Sequence, residues 1–375
     1  MTTSQKRKTI LLGQLGSYGD CLYATTVARQ IKNDYPDCHL TWAIGSRYSS
    51  ILNGNPHVDE IWEIPITHRL ELLDKWEQFE MEAQARKKRG DFDEVFLTQV
   101  FPNNLKNYDG TLRASIFRGY PRPIIVPIAP VLQLLPNEVE HVHSFADKHQ
   151  LSDRNSVILF ECLPESGQSF VTPEFALAVA RELAGKFPNI CIILSSHTPI
   201  LSGDARIIDG SVLSFRENAE LTKYCSLIIG CSSGISWLCT TDWAKPLPMI
   251  QLLKMGTSVY ASFVHDFKYQ RMSIDTIIEM TDCTVDRVTN CVIVVLAEGF
   301  KSARHIFHER IPLRFNSYYN TIFTFLIKKG KYKEAALSLM HTTGRYGLHP
   351  WLVLGGISNT IRYLMKIIRF SLLRR

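Results

Sequence analysis

TILLGQLGSYGDCLYATTVARQIKNDYP, residues 9–36, decides the fold class. Its apolar run at 10–12 suits a buried strand. Gly13, Gly16 and Gly19 then make a turn, and Asp20 opens a helix with apolar positions at Leu22, Val27, Ala28 and Ile31. Strand, glycine turn and helix form the repeating unit of parallel α/β sheets. Glycines permit positive φ and let a ligand approach the main chain, while a helix N-terminus offers unpaired N–H groups. Gly16, Ser17 and Gly19 are therefore candidates to touch a substrate, and the lone carboxylate of Asp20 is a candidate general base. A plain N-capping role for Asp20 fits the same pattern. The glycine spacing is not G-x-G-x-x-G, and no acid closes the next strand-like run at 39–44, which speaks against a nicotinamide dinucleotide.

Outward from this stretch the alternation continues, with strand-like runs at 39–44, 60–64 and 94–100 and a highly charged helix at 69–89. Residues 121–136, PRPIIVPIAPVLQLLP, carry five prolines, which remove ladder donors and read as a crossover linker. The alternation restarts with strands at 157–160, 190–194 and 227–229 and helices at 173–187 and 217–224. This predicts two parallel-sheet domains, 1–145 and 146–300, followed by a helical extension, 301–375. A chain of 375 residues is long enough for that division at about 100–200 residues per domain.

Nine cysteines without a C-x-x-C, and with Cys225, Cys231 and Cys239 at spacings unsuited to zinc, read as reduced, buried thiols of a cytoplasmic protein. Lys6, Arg7 and Lys8 precede an apolar run, but Gln14 and Asp20 interrupt it before it resembles a signal peptide. No apolar stretch approaches the roughly 18 residues of a membrane span. The net charge of +6 is concentrated at one end: no acid follows Glu334, while Arg345, Arg362, Lys366, Arg369, Arg374 and Arg375 do. A helix from about residue 358 would be basic and amphipathic, suited to an anionic membrane surface or to docking on its own protein. No second basic patch supports nucleic-acid binding.

Two further loops follow strands. In LIIGCSSGISWLCTTDWAKPLPMIQ, residues 227–251, Ser232, Ser233, Gly234 and Ser236 lead into a helix near Ile235, a pattern that suits phosphate oxygens. In FECLPESGQSF, residues 160–170, Glu161, Ser166, Gly167, Gln168 and Ser169 could read a sugar or ribose, or form an ordinary polar turn. His197 is a lone histidine past a strand and is set aside. Asp91 and Asp93 spell D-x-D, but at the amino end of a strand, the wrong edge for a site.

The blocks GQLGSYGDCLYATTVARQIKNDYPDCHLTWAIGSRYSSILNGNPHVDEIW (13–62) and LIIGCSSGISWLCTTDWAKP (227–246) resemble the heptosyltransferase-type glycosyltransferases, family 9, of bacterial lipopolysaccharide assembly. The likeness covers roughly 9–65 and 155–250, with the GD corner, the YP and the NP-x-VDE in family order. It implies the GT-B architecture, two Rossmann-like domains facing a cleft, with acceptor on the first and nucleotide diphosphate sugar on the second. It also implies inversion without a catalytic metal. The expected reaction is transfer to a saccharide or lipid-linked acceptor, by a cytoplasmic protein that the basic tail, outside the resemblance, would hold near the inner membrane. Asp20 matches the family's base, with Gly16, Ser17 and Gly19 on the acceptor side. Glu161, Ser166, Gly167, Gln168, Ser169, Ser232, Ser233, Gly234 and Ser236 fall on the donor side. Family members carry an acid at Ser232, a histidine at Trp237 and a lysine near Ser169. A sugar-nucleotide epimerase can use the same two-domain fold, and a non-catalytic scaffold fits these departures. At Asp20 a helix N-terminus lowers the pKa and burial raises it, so the fold must decide which wins.

Overall fold

The computed structural model describes residues 7–102, 104–164 and 167–372. A first lobe contains β1 (Thr9–Gly13), α1 (Tyr18–Asp34), β2 (His39–Gly45), β3 (Glu60–Ile64), α2 (Leu72–Arg89), β4 (Glu94–Leu97) and α3 (Arg113–Phe117). Its strands are parallel in the order β3-β2-β1-β4. Ile10 and Leu12 enter the core beneath α1, while Leu11 packs with Trp76 and Phe79 of α2. Burial on both faces explains why this strand reads as a continuous apolar run.

The second lobe begins with α4 (Pro136–Lys148), β5 (Ser156–Glu161), α5 (Pro173–Lys186), β6 (Ile190–Ser195), β7 (Ile207–Asp209), α6 (Glu217–Leu221) and β8 (Leu227–Gly230). It continues through α7 (Gly234–Leu238), β9 (Met249–Leu253), α8 (Ser258–Ala261), α9 (Phe263–Tyr269), β10 (Ile277–Thr281), α10 (Val285–Glu298) and α11 (Phe300–Phe307). Its six strands are parallel in the order β10-β9-β8-β5-β6-β7, the doubly wound Rossmann order. That order reverses between β5 and β8, as the first sheet's does between β1 and β4. Crevices at such reversals, outside the carboxyl ends of the strands, are where open parallel sheets hold ligands. The two strand-ending corners singled out in the sequence lie at these two points.

The proline-rich linker forms no helix or strand between α3 and α4 and runs along α1. Three of its N–H groups are satisfied by side chains of α1. Gln30 Oε1 accepts from Ile125 and Val126 at 2.8 and 3.1 Å, and Thr25 Oγ1 accepts from Val131 at 2.8 Å. The extension, α12 (Asn316–Phe325), α13 (Tyr332–Tyr346) and α14 (Pro350–Leu372), folds back onto the first lobe, where Ser338 donates to the Tyr108 carbonyl at 2.6 Å.

Several expected boundaries move. The run at 94–100 ends as a strand at Leu97, because Thr98 and Gln99 turn to brace the β1 corner. The helix expected at 217–224 divides into α6 and a 3₁₀ turn, Thr222–Tyr224. Three strands, β7, β9 and β10, were not anticipated, and α14 begins eight residues earlier than 358. All nine cysteines are free and buried. Among the described residues, no helix is long and apolar enough to cross a membrane.

Candidate active site

The front corner is held by two buried glutamines. Gln14 donates to the Gly16 carbonyl at 2.8 Å and to Gln99 Oε1 at 2.9 Å, and that same oxygen accepts from the backbone N–H groups of Leu15 and Gly16. None of Gly13, Gly16 or Gly19 has positive φ. What the first two supply is space for neighbouring side chains: a Cβ on Gly13 would stand 2.7 Å from Leu97, and one on Gly16 would stand 2.6 Å from Tyr48. A Cβ on Gly19 would meet only Trp237 of the second lobe, at 3.9 Å.

Asp20 does not cap α1. The helix begins at Tyr18 with Ser17 at the cap position, and Asp20 is the third helical residue. Its carboxylate accepts from the Ser17 backbone N–H, half of a capping box. Burial nevertheless raises its pKa from 3.8 to about 7, against the lowering pull of that hydrogen bond and of Arg69. A carboxyl tuned to this range is suited to accept a proton near neutral pH.

The rear corner is organised around Glu161, at the end of β5. Its Oε2 accepts from Cys231 N–H at 2.8 Å and Ser236 Oγ at 2.6 Å, and its Oε1 accepts from Ile235 N–H at 3.0 Å. A buried carboxylate of the chain itself therefore occupies the anion position at the start of α7. Burial raises the Glu161 pKa, while Ser236 and the backbone donors oppose the shift. Ser232 adopts φ +51 and turns inward, donating from Oγ to the Ala261 carbonyl at 2.5 Å and from N–H to Gln251 Oε1 at 2.7 Å. Glu161, Ser232 and Ser236 thus shape the corner from within. Ser233 and Gly234 remain partly exposed, and Gly167, with φ +70, is exposed beside buried Gln168 and Ser169. Ser166 lies outside the described residues. The Gln168 carbonyl accepts from Lys254 N–H at 2.8 Å. This backbone bond ties the residue that follows β9 to the 160–170 loop, a pairing of distant segments that local sequence could not signal.

The two corners meet. The Tyr18 ring lies 4.6 Å from that of Phe215, and a Cβ on Gly234 would stand 2.9 Å from the same phenylalanine. Tyr23 of α1 packs edge-on against Trp237 of α7 at 4.8 Å, and Trp237 stacks on Phe263 at 3.7 Å. Burial pushes up the pKa of the Tyr260 hydroxyl on α8, and the negative charge of Asp20 adds to that shift. The start of α1, with Asp20, thus meets Trp237 across the junction. Arg113 of α3 sits above the Trp237 ring, with its guanidinium 3.0 Å from Asp266 of α9. Phe215, Tyr260, Arg113 and Asp266 carried no recognisable signal in the sequence.

Asp93 accepts from the backbone and hydroxyl of Thr9, and Asp91 pairs with Arg89, which places the D-x-D pair at the amino edge of the first sheet. A cavity of about 420 Å³ opens along β4, lined in part by Trp76, Gln84 and Asn107, and one of about 260 Å³ lies where Pro56 and His57 of the first lobe meet the linker and Asp242 and Trp243 of the second.

No family model matches the chain, and no curated protein matches its sequence. Among solved structures, a glycosyl transferase of family 9 from Veillonella parvula aligns with a TM-score of 0.57 at 12% identity, over 79% of this chain and 99% of that one. ADP-heptose lipopolysaccharide heptosyltransferase II of E. coli aligns with a TM-score of 0.49 at 15% identity, over 78% and 99%. A putative UDP-N-acetylglucosamine 2-epimerase from Listeria monocytogenes aligns with a TM-score of 0.47 at 11% identity, over 86% and 97%. The likeness is one of fold. Two facing parallel-sheet lobes with a helical extension constitute the GT-B architecture.

Proposed function

We propose that the protein is an inverting, metal-independent glycosyltransferase of bacterial surface polysaccharide synthesis. It would move a sugar from a nucleotide diphosphate donor to a saccharide or lipid-linked acceptor. The observation that carries this reading is the meeting of two parallel-sheet lobes at their strand-ending corners, where the helix that bears Asp20 packs against Trp237 of the second lobe. In the proposed reaction Asp20 takes the proton of an acceptor hydroxyl held near Gly16, Ser17 and Gly19. The acceptor oxygen then attacks the anomeric carbon from the face opposite the diphosphate. The anomeric C–O bond breaks, and the nucleotide diphosphate leaves with the electron pair. Developing charge on the leaving group needs donors fixed in advance. Gly167, Gln168, Ser169, Ser233, Gly234 and Lys254 are the groups we assign to the donor.

The test combines thermal shift against nucleotide diphosphates and nucleotide sugars with product analysis, with and without lipid acceptor. Transfer to an acceptor supports the reading. Interconversion of free nucleotide sugars with no acceptor would indicate an epimerase, and absence of any nucleotide shift would indicate a scaffold.

A further inference from the structure

The last helix has two unlike sides. One docks: Leu352 is buried, the Tyr319 hydroxyl donates to its carbonyl at 2.7 Å, and Phe323 packs on Tyr363 with ring centroids 5.5 Å apart. Gly355 and Gly356 make that approach possible, since a Cβ on either would stand 3.1 or 2.9 Å from Tyr319. The other side faces solvent and is apolar. Leu354 is 53% exposed, Ile357 53%, Ile361 50% and Met365 56%, with Trp351 at 59% near the start of the helix. Spacings of three, four and four residues put the first four on one stripe. Arg362 is exposed beside it, Lys366 and Arg369 follow at i+4 and i+7 in the sequence, and α14 contains no acid. The side chains of Lys366 and Arg369, and residues 374–375, lie outside those described.

We propose that α14 lies in the plane of an anionic lipid bilayer. Leu354, Ile357, Ile361 and Met365 enter the acyl boundary, Trp351 sits at the interface, and Arg362 meets the headgroups. Cations without anions, bordering an unpartnered apolar stripe, fit such a surface. The extension joins this helix to the front lobe. Ser338 bonds Tyr108, and Arg345 reaches Thr111 at 2.6 Å and Asp109 at 3.2 Å. A bilayer-bound α14 therefore holds the front lobe at the membrane. On the acceptor reading of that lobe, this brings the site to a lipid-linked substrate.

The test is flotation of the full chain with phosphatidylcholine vesicles, with and without phosphatidylglycerol. Wild type is expected to float with the anionic vesicles and to be released by salt. Ile357→Glu combined with Ile361→Glu is expected to abolish flotation while leaving the melting temperature and nucleotide shift unchanged, because both side chains face solvent. Arg362→Glu should weaken it by roughly fivefold or more. Equal flotation of wild type and the double variant would overturn the proposal. So would a lipid-free dimer that the double variant dissociates, since a second copy would then cover the stripe. Flotation needs no turnover, so its failure leaves the Asp20 assignment standing, and an inactive Asp20 site leaves the lipid result standing.

Discussion

At the scale of single residues, Asp20 is held between opposed influences: the Ser17 N–H and Arg69 favour its anion, and burial disfavours it more strongly. A carboxyl whose folded pKa exceeds its unfolded value destabilises the fold as pH rises between the two. The cost of Asp20 therefore begins above 3.8 and is complete above about 7. Asp20→Asn is expected to reduce turnover by about 10²–10⁴-fold with nucleotide binding retained. The same variant should melt higher than wild type at alkaline pH, and the advantage should vanish in acid. Wild-type kcat/KM should rise through a limb near pH 7. Activity retained by the Asn variant would remove the base assignment. Gly16→Ala, by contrast, should fail through packing, since its new methyl meets Tyr48; overpacking of this kind costs about 1–3 kcal/mol in urea denaturation.

Among elements, the second lobe repeats one device. Glu161 binds the start of α7, and Glu279 of β10 accepts from Ser262 Oγ at 2.9 Å and Val264 N–H at 3.0 Å at the start of α9. Burial raises Glu279 from 4.5 to about 7. Its contribution to stability therefore falls as pH climbs through that window, and Glu279→Gln should flatten the fall in melting temperature. Ser236→Ala removes the hydroxyl shared by Glu161 and Gln251 and should cost about 1–3 kcal/mol in denaturant titration. Gly230 is constrained by the same cluster, since a Cβ there would stand 2.3 Å from Ser236 Oγ. Lys254→Ala should weaken nucleotide binding by roughly tenfold or more in the thermal-shift titration, the loss expected for a charge-assisted contact.

For the whole molecule, the lobes are tied at several points. Arg216 binds both oxygens of Glu138 at 2.7 Å and also donates to the carbonyls of Ser50, Asn53 and Gln133. Arg29 and Asp242 pair across the linker, and Arg113 reaches Asp266. Arg216→Ala leaves a half-buried carboxylate and several carbonyls without their donor, and should cost about 3–5 kcal/mol in urea unfolding. Because the corners touch through Tyr18, Phe215 and Trp237, admission of a nucleotide sugar would require the lobes to separate. Small-angle scattering with and without nucleotide diphosphate is expected to report a change in radius of gyration, and an unchanged curve would count against the proposed opening.

What the sequence determined by itself was local. Periodicity identified most of the strands, proline density located the linker, and the glycine turn with its following acid marked the front corner, because each is written in neighbouring residues. Short buried strands such as β7 and β9 escaped, since a brief apolar run has no periodicity to distinguish it. Only the tertiary structure decided which sign the Asp20 shift takes, because desolvation depends on what packs around the group. It also decided that Glu161 fills the anion position at α7, that Lys254 lies beside Gln168, and that one side of α14 docks while the other stays bare. Each of these brings together groups tens of residues or more apart along the chain, and such meetings are set by how the sheets and helices pack.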